Sequence, residues 1–476
     1  MFLVFGILLL LATFSAKISS RVGIPGLIIF LSLGMIFGSD GLNLIYFDDP
    51  HAAQQAAIVL LIWILFEGGF GTKRELLKVT FAPAFTLATI GVILTAVVIG
   101  SLSHWILGIN LAQSMLIGAI IGSTDAAAVF AIFKDKSIEP RTAATLEVES
   151  ASNDPMAIIL TTVIIDYIQG NLASPVEFAL QLGWQIAAGL LVGYAVGKIA
   201  PYVINKAKLG NGGFYYVLAL GFSFLSYGLA DFIGANGFMA VYITGFYLGN
   251  SEYIYKQSIG RFLEGASTFS QVMLFLMLGL LVFPSQAIKL WPQGIAITLI
   301  LIFLARPLAV FICTAFSKYT LKQKVFMCWG GLKGAVPIVL ATYPYGAGLP
   351  DGGFYFNIVF FAVLISAVIQ GTTMDWAATK LGLLHESKKT SPYAIELISL
   401  ENPDFEIVEY EVCKDSILAG NTLSNISLPK DSLVSAIVRN SSIIAPRGDT
   451  MLLEGDLLFL LVKSEDKRAL KQALQC

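Results

Sequence analysis

The seven residues ESASNDP, at positions 149–155, place two acids, one amide and two hydroxyls inside the otherwise apolar stretch 142–168. A helix of about 20 apolar residues crosses a bilayer core of about 30 Å. A charge near the centre of such a helix costs roughly 2.5–3.5 kcal/mol on insertion scales, so it persists mainly where it is paired or functional. Pro155 has no amide hydrogen, so the carbonyl of Ala151 loses its helical partner and a break is predicted there.

This cluster offers the oxygen ligands that hard cations prefer, namely a carboxylate, an amide oxygen, a hydroxyl and a freed carbonyl. We expect Asp154 to carry an alkali cation or a proton, with Ser150 and Asn153 beside it on one arc of the helix. The alternative is a polar seam between two packed helices, in which these groups would contact each other and no ion.

The rest of the chain has the composition of a multi-spanning membrane protein. Of its 476 residues, 56% are hydrophobic and 13% are charged, whereas a soluble protein carries about 25% charged residues. The net charge of −2 gives no basic patch for nucleic acid. The four cysteines form no CxxC pair and the three histidines lie far apart, which excludes the usual zinc and dithiol motifs.

About thirteen stretches are long and apolar enough to be membrane helices. We place them near 1–16, 24–42, 56–71, 80–106, 111–133, 142–168, 176–200, 213–233, 236–250, 262–283, 293–316, 324–345 and 353–380. The first lacks the basic start of a signal peptide and is followed by further spans, so we expect a retained helix. It begins abruptly at its first apolar residue, and we expect a few residues to be missing upstream.

Basic residues concentrate in the loops on one side of the predicted membrane. Nineteen lysines and arginines fall there, and Lys289 is alone in the loops on the other side. The basic set is Lys17, Arg21, Lys73, Arg74, Lys78, Lys134, Lys136, Arg141, Lys198, Lys206, Lys208, Lys256, Arg261, Lys318, Lys322, Lys324, Lys380, Lys388 and Lys389. The positive-inside rule therefore predicts a plasma-membrane protein with its N-terminus outside and its C-terminus in the cytoplasm.

Two further motifs combine helix breakers with a charge at the same predicted depth. In GSTDAAAV, at 122–129, Asp125 is expected to face the N-terminal end of a half-helix, where a carboxylate offsets the positive helix dipole. In GGLKGAVP, at 330–337, Lys333 is expected to compensate free carbonyls at the end of another half-helix. The alternatives are a buried acid in an unbroken helix and a snorkelling lysine. Glu67, in LFEGGF, is either an accessory ligand, a cytoplasmic-funnel residue or a helix-end acid.

The central charges leave a remainder of one negative charge. Arg306 does not lose its proton in practice and needs a permanent counter-ion, for which Glu149 is the best candidate. The three central acids, Asp125, Glu149 and Asp154, outnumber the two central bases, Arg306 and Lys333, by one. One carboxylate is then left to carry either a proton or a monovalent cation, and this competition by itself produces exchange.

Residues 1–385 resemble the monovalent cation:proton antiporters of the NhaP/NHE type. The motifs that carry the resemblance are Thr124-Asp125, Glu149-Ser150 with Asn153-Asp154-Pro155, Arg306 and Lys333-Gly-Ala. The family fold implies an all-α polytopic membrane domain with inverted repeats and two broken helices that cross at the ion site. It also implies a homodimer, in which a fixed part supports a core that moves as an elevator.

The resemblance also implies roles for single residues. Asp154 matches the essential carrier of proton and cation, and Asp125 matches the acid of the first broken helix. Ser150 and the backbone at Thr124 match ligand positions. Asn153 stands where electrogenic relatives carry a second Asp, which implies one-for-one exchange.

Four more positions are compared with the family pattern. Glu149 and Arg306 match a structural ion pair. The chain departs from many relatives in having TDAAA where they have TDP, and Lys333 where they have Arg. The first departure puts the way in which that helix breaks in doubt.

The composition changes near residue 385, where HESKKTSP begins a tail of ordinary soluble composition. We assign 386–398 to a linker and 399–476 to a small α+β cytoplasmic domain, with strands at 405–412, 433–439 and 457–462 and a helix at 465–474. The tail resembles a TrkA-C (RCK-C) domain through Ile417-Leu-Ala-Gly420, Leu423, Pro429, Ile444-Ala-Pro446-Arg447-Gly448-Asp449 and Gly455-Asp456. That resemblance implies dimerisation and control by a small ligand, with cyclic di-AMP as a candidate. The alternative is a purely structural dimer clamp.

The favoured function is secondary antiport of an alkali cation against H⁺, with K⁺ favoured and Na⁺ open. A tail-gated potassium channel would need a carbonyl filter of the TVGYG kind, which Tyr343-Pro-Tyr-Gly346 does not supply. A non-transporting membrane sensor is the other alternative. The sequence has no nucleophile–base set and no GxGxxG loop after a strand, so we expect neither an enzyme nor a resident cofactor. The metal we expect is an alkali cation at Asp154.

Overall fold

The computed structural model describes residues 2–22, 25–133, 136–172 and 174–386, and, in the C-terminal part, 405–412, 416, 418–426, 428, 432–439 and 442–463. The chain divides into two compact units, residues 1–386 and 387–476. The first unit is mostly helical and the second contains a small β-sheet.

The helices of the first unit follow the apolar stretches of the sequence. They are α1 (Phe2–Val22), α2 (Gly26–Phe37), α3 (Pro50–Gly71), α4 (Arg74–Thr86), α5 (Val92–Leu107), α6 (Leu111–Ile120), α7 (Ala126–Ile132), α8 (Pro140–Ile168), α9 (Pro175–Lys206), α10 (Gly213–Phe232), α11 (Gly237–Gly249), α12 (Lys256–Leu281), α13 (Pro284–Ala287), α14 (Trp291–Ile300), α15 (Arg306–Cys313), α16 (Leu321–Trp329), α17 (Ala335–Leu340), α18 (Tyr343–Gly346), α19 (Gly352–Ser366) and α20 (Thr372–Leu381). Short 3₁₀ turns occur at Ile288–Leu290 and Leu423–Asn425.

Seven helical segments among the described residues are long and apolar enough to cross a membrane. They are Pro50–Gly71, Thr80–Leu107, Pro175–Lys206, Gly213–Phe232, Lys256–Leu281, Pro284–Cys313 and Gly352–Leu381. The other predicted spans coincide with helices that are shorter, interrupted or rich in polar residues. The chain is therefore a membrane protein with multiple helices, while the count of thirteen and the inverted repeats stay predictions.

Two predicted spans are broken in the middle. Helix α6 ends at Ile120 and α7 begins at Ala126, and α16 ends at Trp329 before α17 begins at Ala335. We call 121–125 the first break and 330–334 the second break. The predicted break at Pro155 is wrong, because α8 continues through it. Proline removes only one hydrogen bond of the ladder, and neighbouring groups in a packed membrane protein can hold the helix on either side of it.

Helices α3 and α11 approach each other backbone to backbone. A side-chain carbon added at Gly245 of α11 would overlap the main chain of α3 at Phe66, and one at Gly249 would overlap that at Phe70. Small residues permit this approach and are typical of tight helix pairs in membranes. The pair forms one wall of the cavity described below.

In the described part of the chain, three π-helical turns each join two consecutive helices: Leu87–Gly91 joins α4 to α5, Leu301–Ala305 joins α14 to α15, and Ala367–Gly371 joins α19 to α20. Such single turns are uncommon and occur frequently at functional sites. The second lies directly before Arg306. A two-stranded antiparallel ladder, the clip, joins β1 (Lys136–Ile138) to β2 (Leu384–Glu386) and so links the α7–α8 connection to the end of α20.

Among the described residues of the second unit, four strands form an antiparallel sheet in the order β3-β6-β4-β5. The strands are β3 (Phe405–Glu411), β4 (Leu433–Arg439), β5 (Ser442–Ile444) and β6 (Leu457–Lys463). Buried side chains such as Ile437, Leu452 and Leu460 form its core. The guanidinium of Arg439 donates to both carboxylate oxygens of the buried Asp456, each at 2.7 Å. The predicted helix at 465–474 lies outside the described residues, as does the linker beyond residue 386.

Candidate ion-binding site

The first break is held open by side chains of α8. Ser150 donates its hydroxyl to the carbonyl of Thr124 at 2.9 Å and accepts from the amide of Ala126 at 3.0 Å. The amide group of Asn153 accepts from Thr124 N at 3.3 Å and donates to Thr124 Oγ1 at 2.7 Å. These contacts replace the helical partners that the backbone loses when a helix stops inside a membrane.

Asp125 ends the first break as the N-cap of α7. Its Oδ1 atom accepts from the amide of Ala128 at 2.9 Å. An Asp at this position satisfies one of the free amides of the half-helix, and its charge is stabilised by the positive end of the helix dipole. The sequence-based expectation for Asp125 and the observed contact therefore agree.

The second break lies against the first. The amide of Asp125 donates to the carbonyl of Leu332 at 2.7 Å, and Lys333 Nζ donates to the carbonyl of Ser123 at 2.8 Å. Gly334 contacts the Asp125 side chain so closely that an added carbon would overlap the carboxylate. The two breaks thus satisfy each other's backbone groups, and the lysine ammonium lies against a carbonyl of the acidic break.

Glu149 and Arg306 form a buried ion pair behind the crossing. Both terminal nitrogens of the guanidinium contact the carboxylate: Nη1 meets Oε1, and Nη2 meets Oε2 at 3.0 Å. Nη2 also donates to the carbonyl of Met327 at 3.0 Å, in the last turn of α16. Glu149 is 1% exposed and Arg306 is 6% exposed. A bidentate pair of this kind is geometrically specific, and here it ties α8 and α15 to the end of α16.

A cavity of about 270 Å³ opens beside the first break. Its wall includes Asp154, Asp125, Ser150, Thr124, Glu67 and Glu147. Asp154 and Asp125 are half-buried and face this space. The cavity separates the α3–α11 pair from the wall made by α7, α8 and α17, so the two acids lie where two sets of helices meet.

The predicted site residues fall into two groups around this cavity. Asp154, Asp125, Thr124, Ser150 and Glu67 line it. Glu149, Arg306 and Lys333 are buried outside it and form the contacts given above. The structure therefore collects the predicted residues at one crossing but gives them different surroundings.

Asn153 differs from the predicted ligand role. It is 1% exposed, and both polar atoms of its amide are taken up by Thr124. It is also absent from the cavity wall. In this structure its contact is with the backbone and hydroxyl of the first break, so it shapes the site from behind.

Glu147 lines the cavity but was not predicted from the sequence. It precedes Asp154 by seven residues, which on an α-helix is two turns and nearly the same face. That spacing is the signal that could have found it. Tyr242 and Thr72 also line the cavity, and their hydroxyls lie 3.2 Å apart. Tyr242 lies in α11 and Thr72 directly follows α3. Nothing in the sequence indicates that these two residues meet.

A carboxylate that faces a cavity beside two crossing broken helices, inside a multi-helical membrane unit, is typical of secondary ion transporters. Comparison with known proteins agrees. The family described as "Sodium/hydrogen exchanger, transmembrane" matches residues 6–380, and the TrkA-C domain matches residues 407–475. The chain belongs to the sodium/hydrogen exchanger family, a family of transporters and not of enzymes, and it carries a TrkA-C domain. The predicted resemblance is confirmed.

Several relatives match along most of the chain. The chain is 36% identical over 474 residues to the K(+)/H(+) antiporter NhaP2 of Shewanella sp. strain MR-4, covering 98% of this chain and 82% of that protein. It is 36% identical over 468 residues to the K(+)/H(+) antiporter NhaP of Alkalimonas amylolytica, covering 98% and 81%. It is 32% identical over 350 residues to the Na(+)/H(+) antiporter 1 of Methanocaldococcus jannaschii, covering 71% and 81%.

A solved structure gives the fold independently. The sodium proton antiporter MjNhaP1 of Methanocaldococcus jannaschii at pH 8 superposes with a TM-score of 0.72 and 28% sequence identity. The match covers 79% of this chain and 97% of that one. The first unit therefore has the fold of a sodium proton antiporter.

Proposed function

We propose that this cation/proton antiporter exchanges K⁺ for H⁺, one for one, at Asp154. The observation that carries the proposal is the position of Asp154 on the cavity wall beside the first break, among Ser150, Thr124 and Asp125. These groups supply carboxylate, hydroxyl and backbone oxygens, which suit an alkali cation. A proton and a cation cannot both neutralise one carboxylate, so each displaces the other.

The test of the carrier is Asp154→Asn, which keeps the shape of the side chain and removes its charge. Exchange by purified protein in liposomes should be lost while the melting temperature is retained. Asp166→Asn, near the C-terminal end of α8, is the matched control and should retain exchange. Substantial exchange by the Asp154→Asn protein would remove Asp154 from this role. A wild-type protein with no exchange would favour a sensor, and uncoupled K⁺ flux would favour a channel.

The proposed preference for K⁺ over Na⁺ rests on the relatives and the tail. The relatives named K(+)/H(+) antiporters match 98% of this chain, a share that includes the tail, whereas the relative named Na(+)/H(+) antiporter matches 71%. Exchange should be compared side by side with K⁺ and Na⁺ at equal concentrations in the same liposomes. A higher rate or a lower KM with Na⁺ would contradict the assignment.

Electroneutral exchange is proposed from the central charges and from Asn153. The three acids and two bases leave one negative charge, and Asn153 adds none, so one cation is balanced by one proton. The rate should therefore change little with an imposed membrane potential. Asn153→Asp provides the comparison, since a second carboxylate should introduce a dependence on the potential. A steep dependence in the wild type would show that a second charge moves.

We further propose alternating access by an elevator movement in a homodimer. The cavity lies between the tightly packed α3–α11 pair and the wall carried by α7, α8 and α17, which supports a fixed part and a moving part. A cross-link between Glu67→Cys on α3 and Ala151→Cys on α8 should form and arrest exchange, and reduction should restore it. Unchanged exchange after complete cross-linking would contradict the movement.

The tail is proposed to be a regulatory module in the cytoplasm, with the N-terminus of the chain outside the plasma membrane. The match to TrkA-C supports ligand control, and the excess of basic residues in one set of loops supports the orientation. Two tails would pair, and cyclic di-AMP is the first ligand to test with the full-length dimer. A ligand can shift activity only through different affinities for two states. Unchanged exchange and no nucleotide binding would leave the structural clamp.

A further inference from the structure

Gln370 is a buried glutamine that contacts the second break from outside the cavity. It lies in the π-helical turn Ala367–Gly371 and is 1% exposed. Its Nε2 atom donates to the carbonyl of Trp329, the last residue of α16, at 2.9 Å. Its Oε1 atom accepts from the hydroxyl of Ser366 at 2.6 Å, which fixes the orientation of the amide.

The end of α16 needs such a partner because a helix leaves its last four carbonyls without helical hydrogen bonds. Inside a membrane, each carbonyl without a partner costs several kcal/mol. Here the carbonyl of Phe326 accepts from the amide of Gly330, that of Met327 accepts from Arg306, and that of Trp329 accepts from Gln370. Gln370 therefore fixes the carbonyl of Trp329, the residue directly before the second break.

The same π-helical turn lies near the residue that reaches the ion site. A side-chain carbon added at Gly371 would lie 3.5 Å from Leu332 Cδ1, and it would overlap Pro25. The carbonyl of Leu332 accepts from the amide of Asp125, and the next residue, Lys333, donates to Ser123. Gln370 thus holds the carbonyl of Trp329, three residues before Leu332, and its neighbour Gly371 lies close to Leu332 itself.

We propose that Gln370 is a positioning residue for the ion site, resting on the proposed antiport function. By fixing the end of α16 and the course of the second break, it sets where Leu332 and Lys333 meet the first break. The π-helical turn contains one residue more than an α-helical turn would. Without that extra residue, the Gln370 side chain would be rotated by about 100° about the helix axis. The π-helical turn therefore orients Gln370 towards Trp329.

The test replaces Gln370 with methionine, which has similar length and no donor. Exchange in liposomes should show a KM for K⁺ raised about two- to tenfold, the size of one hydrogen bond's contribution. The maximal rate should stay within about twofold, and the pH profile should shift with the KM. Ser366→Ala, which only frees the amide to rotate, should change KM in the same direction by less, and it serves if Gln370→Met does not fold.

Gln185→Met is the matched control. Gln185 is also a buried membrane glutamine, but its side chain accepts from Thr162 at 3.4 Å, away from both breaks. Its replacement should leave KM unchanged. A lower melting temperature with unchanged KM and pH profile in Gln370→Met and Ser366→Ala would overturn the positioning role. Active wild-type protein in the same liposomes separates this failure from a failure of the antiport proposal.

A second inference rests on the clip, a different part of the molecule. Ile138 of β1 pairs with Leu384 of β2, and the amide of Glu139 donates to the carbonyl of Leu383 at 2.9 Å. Ile138 and Leu383 are buried, at 4% and 7% exposure. The clip is thus anchored in the core of the first unit.

Hydrogen bonds also hold the α8 side of the clip. Burial acts to raise the pKa of Glu139, but hydrogen bonds from Thr142, Gln323 and Arg141 outweigh it and hold that pKa below its usual range. Glu139 is therefore ionised at neutral pH. Its carboxylate caps α8 and accepts a hydrogen bond from the side-chain amide of Gln323 in α16. One end of the clip is fixed to two helices that carry the site.

We infer that the clip transmits the state of the tail to the ion site. In the sequence, β2 is the last described element before the linker and the tail, while β1 lies between α7, capped by Asp125, and α8, which carries Asp154. This inference rests on the proposed ligand control by the tail. A displacement of residue 386 acts on the α7–α8 connection through the paired strands.

Two full-length variants test the clip. Ser137→Pro removes an amide hydrogen from the middle of β1, and a short Gly/Ser insertion after Glu386 lengthens the chain between the clip and the tail. Each should change the cation and pH dependence of exchange in the same direction, and the double variant should equal the stronger single one. Additive effects, or no effect of either change, would overturn the coupling. Wild-type exchange in the same liposomes keeps this result separate from the antiport proposal.

Discussion

The two helix breaks differ in charge and in what holds them. At the first break, Asp125 caps the half-helix that follows, and α8 supplies the supporting groups from Ser150 and Asn153. At the second break, Lys333 reaches across to Ser123, while the preceding half-helix ends against groups outside the cavity. The first break contributes Ser123, Thr124 and Asp125 to the cavity wall beside Asp154, whereas the second break contributes Gly334. Under the proposed function, the first break would hold the ion and the second break would support the first.

The largest effect is expected from removing the support of the second break. Glu149→Gln leaves Arg306 as a buried charge without its counter-ion, and breaking a buried pair in this way costs about 3–5 kcal/mol. The melting temperature should fall sharply, with a smaller change in the KM for K⁺. Glu177→Gln, in the exposed first turn of α9, is the control. An intact fold with lost cation binding would make Glu149 a ligand and reverse the comparison.

The next effect is expected where the breaks touch. Gly334→Ala places a carbon where the Asp125 carboxylate lies, and overpacking of this kind typically costs about 1–3 kcal/mol. The added carbon forces the two breaks apart and displaces Asp125, so the rate of exchange should fall more than tenfold. Gly221→Ala, which meets open space, should behave as wild type. Normal exchange by Gly334→Ala, measured in liposomes, would mean that the contact is dispensable.

A similar loss of stability, but with exchange retained, is expected from Lys333→Met. The change removes the donor to the Ser123 carbonyl, and an unsatisfied buried acceptor costs about 1–3 kcal/mol. It also removes one central positive charge, so the remaining protein should exchange with a dependence on membrane potential. Lys333→Arg keeps the charge and should restore voltage-independent exchange. The idea fails if Lys333→Met and wild type respond equally to an imposed potential.

The smallest change in stability is expected from Asp125→Asn. Asparagine caps a helix as well as aspartate does, so the fold and the melting temperature should be retained. The lost negative charge beside Asp154 should raise the KM for K⁺ about tenfold, equivalent to about 1.4 kcal/mol. Asp351→Asn, at the start of α19, provides the control for a lost carboxylate outside the cavity. An unchanged KM would place Asp125 among the supporting groups, with the second break.

Much of this comparison could be predicted from the sequence. Glycines, prolines and charges inside apolar stretches are conspicuous, and they identified both breaks and the acids beside them. The partners across the site could not be predicted, since they depend on how distant helices cross. Asn153 illustrates the limit: its position on α8 suggested a ligand, but its amide is occupied by Thr124. Pro155 illustrates another, because tertiary packing carries α8 through a residue that disfavours a helix.

Other features leave only a weak local signal in the sequence. A π-helical turn differs from an α-helical one by a single residue, so hydrophobic periodicity does not reveal it. The clip consists of two strands of three residues separated by most of the first unit. Glu147 resembles any other acid of a helix until the cavity beside it is known.

The π-helical turn Leu301–Ala305 sets the register of everything that follows it in α15. Deleting one residue anywhere in these five would restore the ordinary helical repeat and rotate Arg306 by about 100° away from Glu149. The stretch would remain equally apolar, so a hydropathy profile would not reveal that the Glu149–Arg306 ion pair had been lost. A single-codon deletion here would thus be far more damaging than most substitutions. When relatives are aligned, a gap at these five residues would therefore mark a chain that must hold Glu149 in another way.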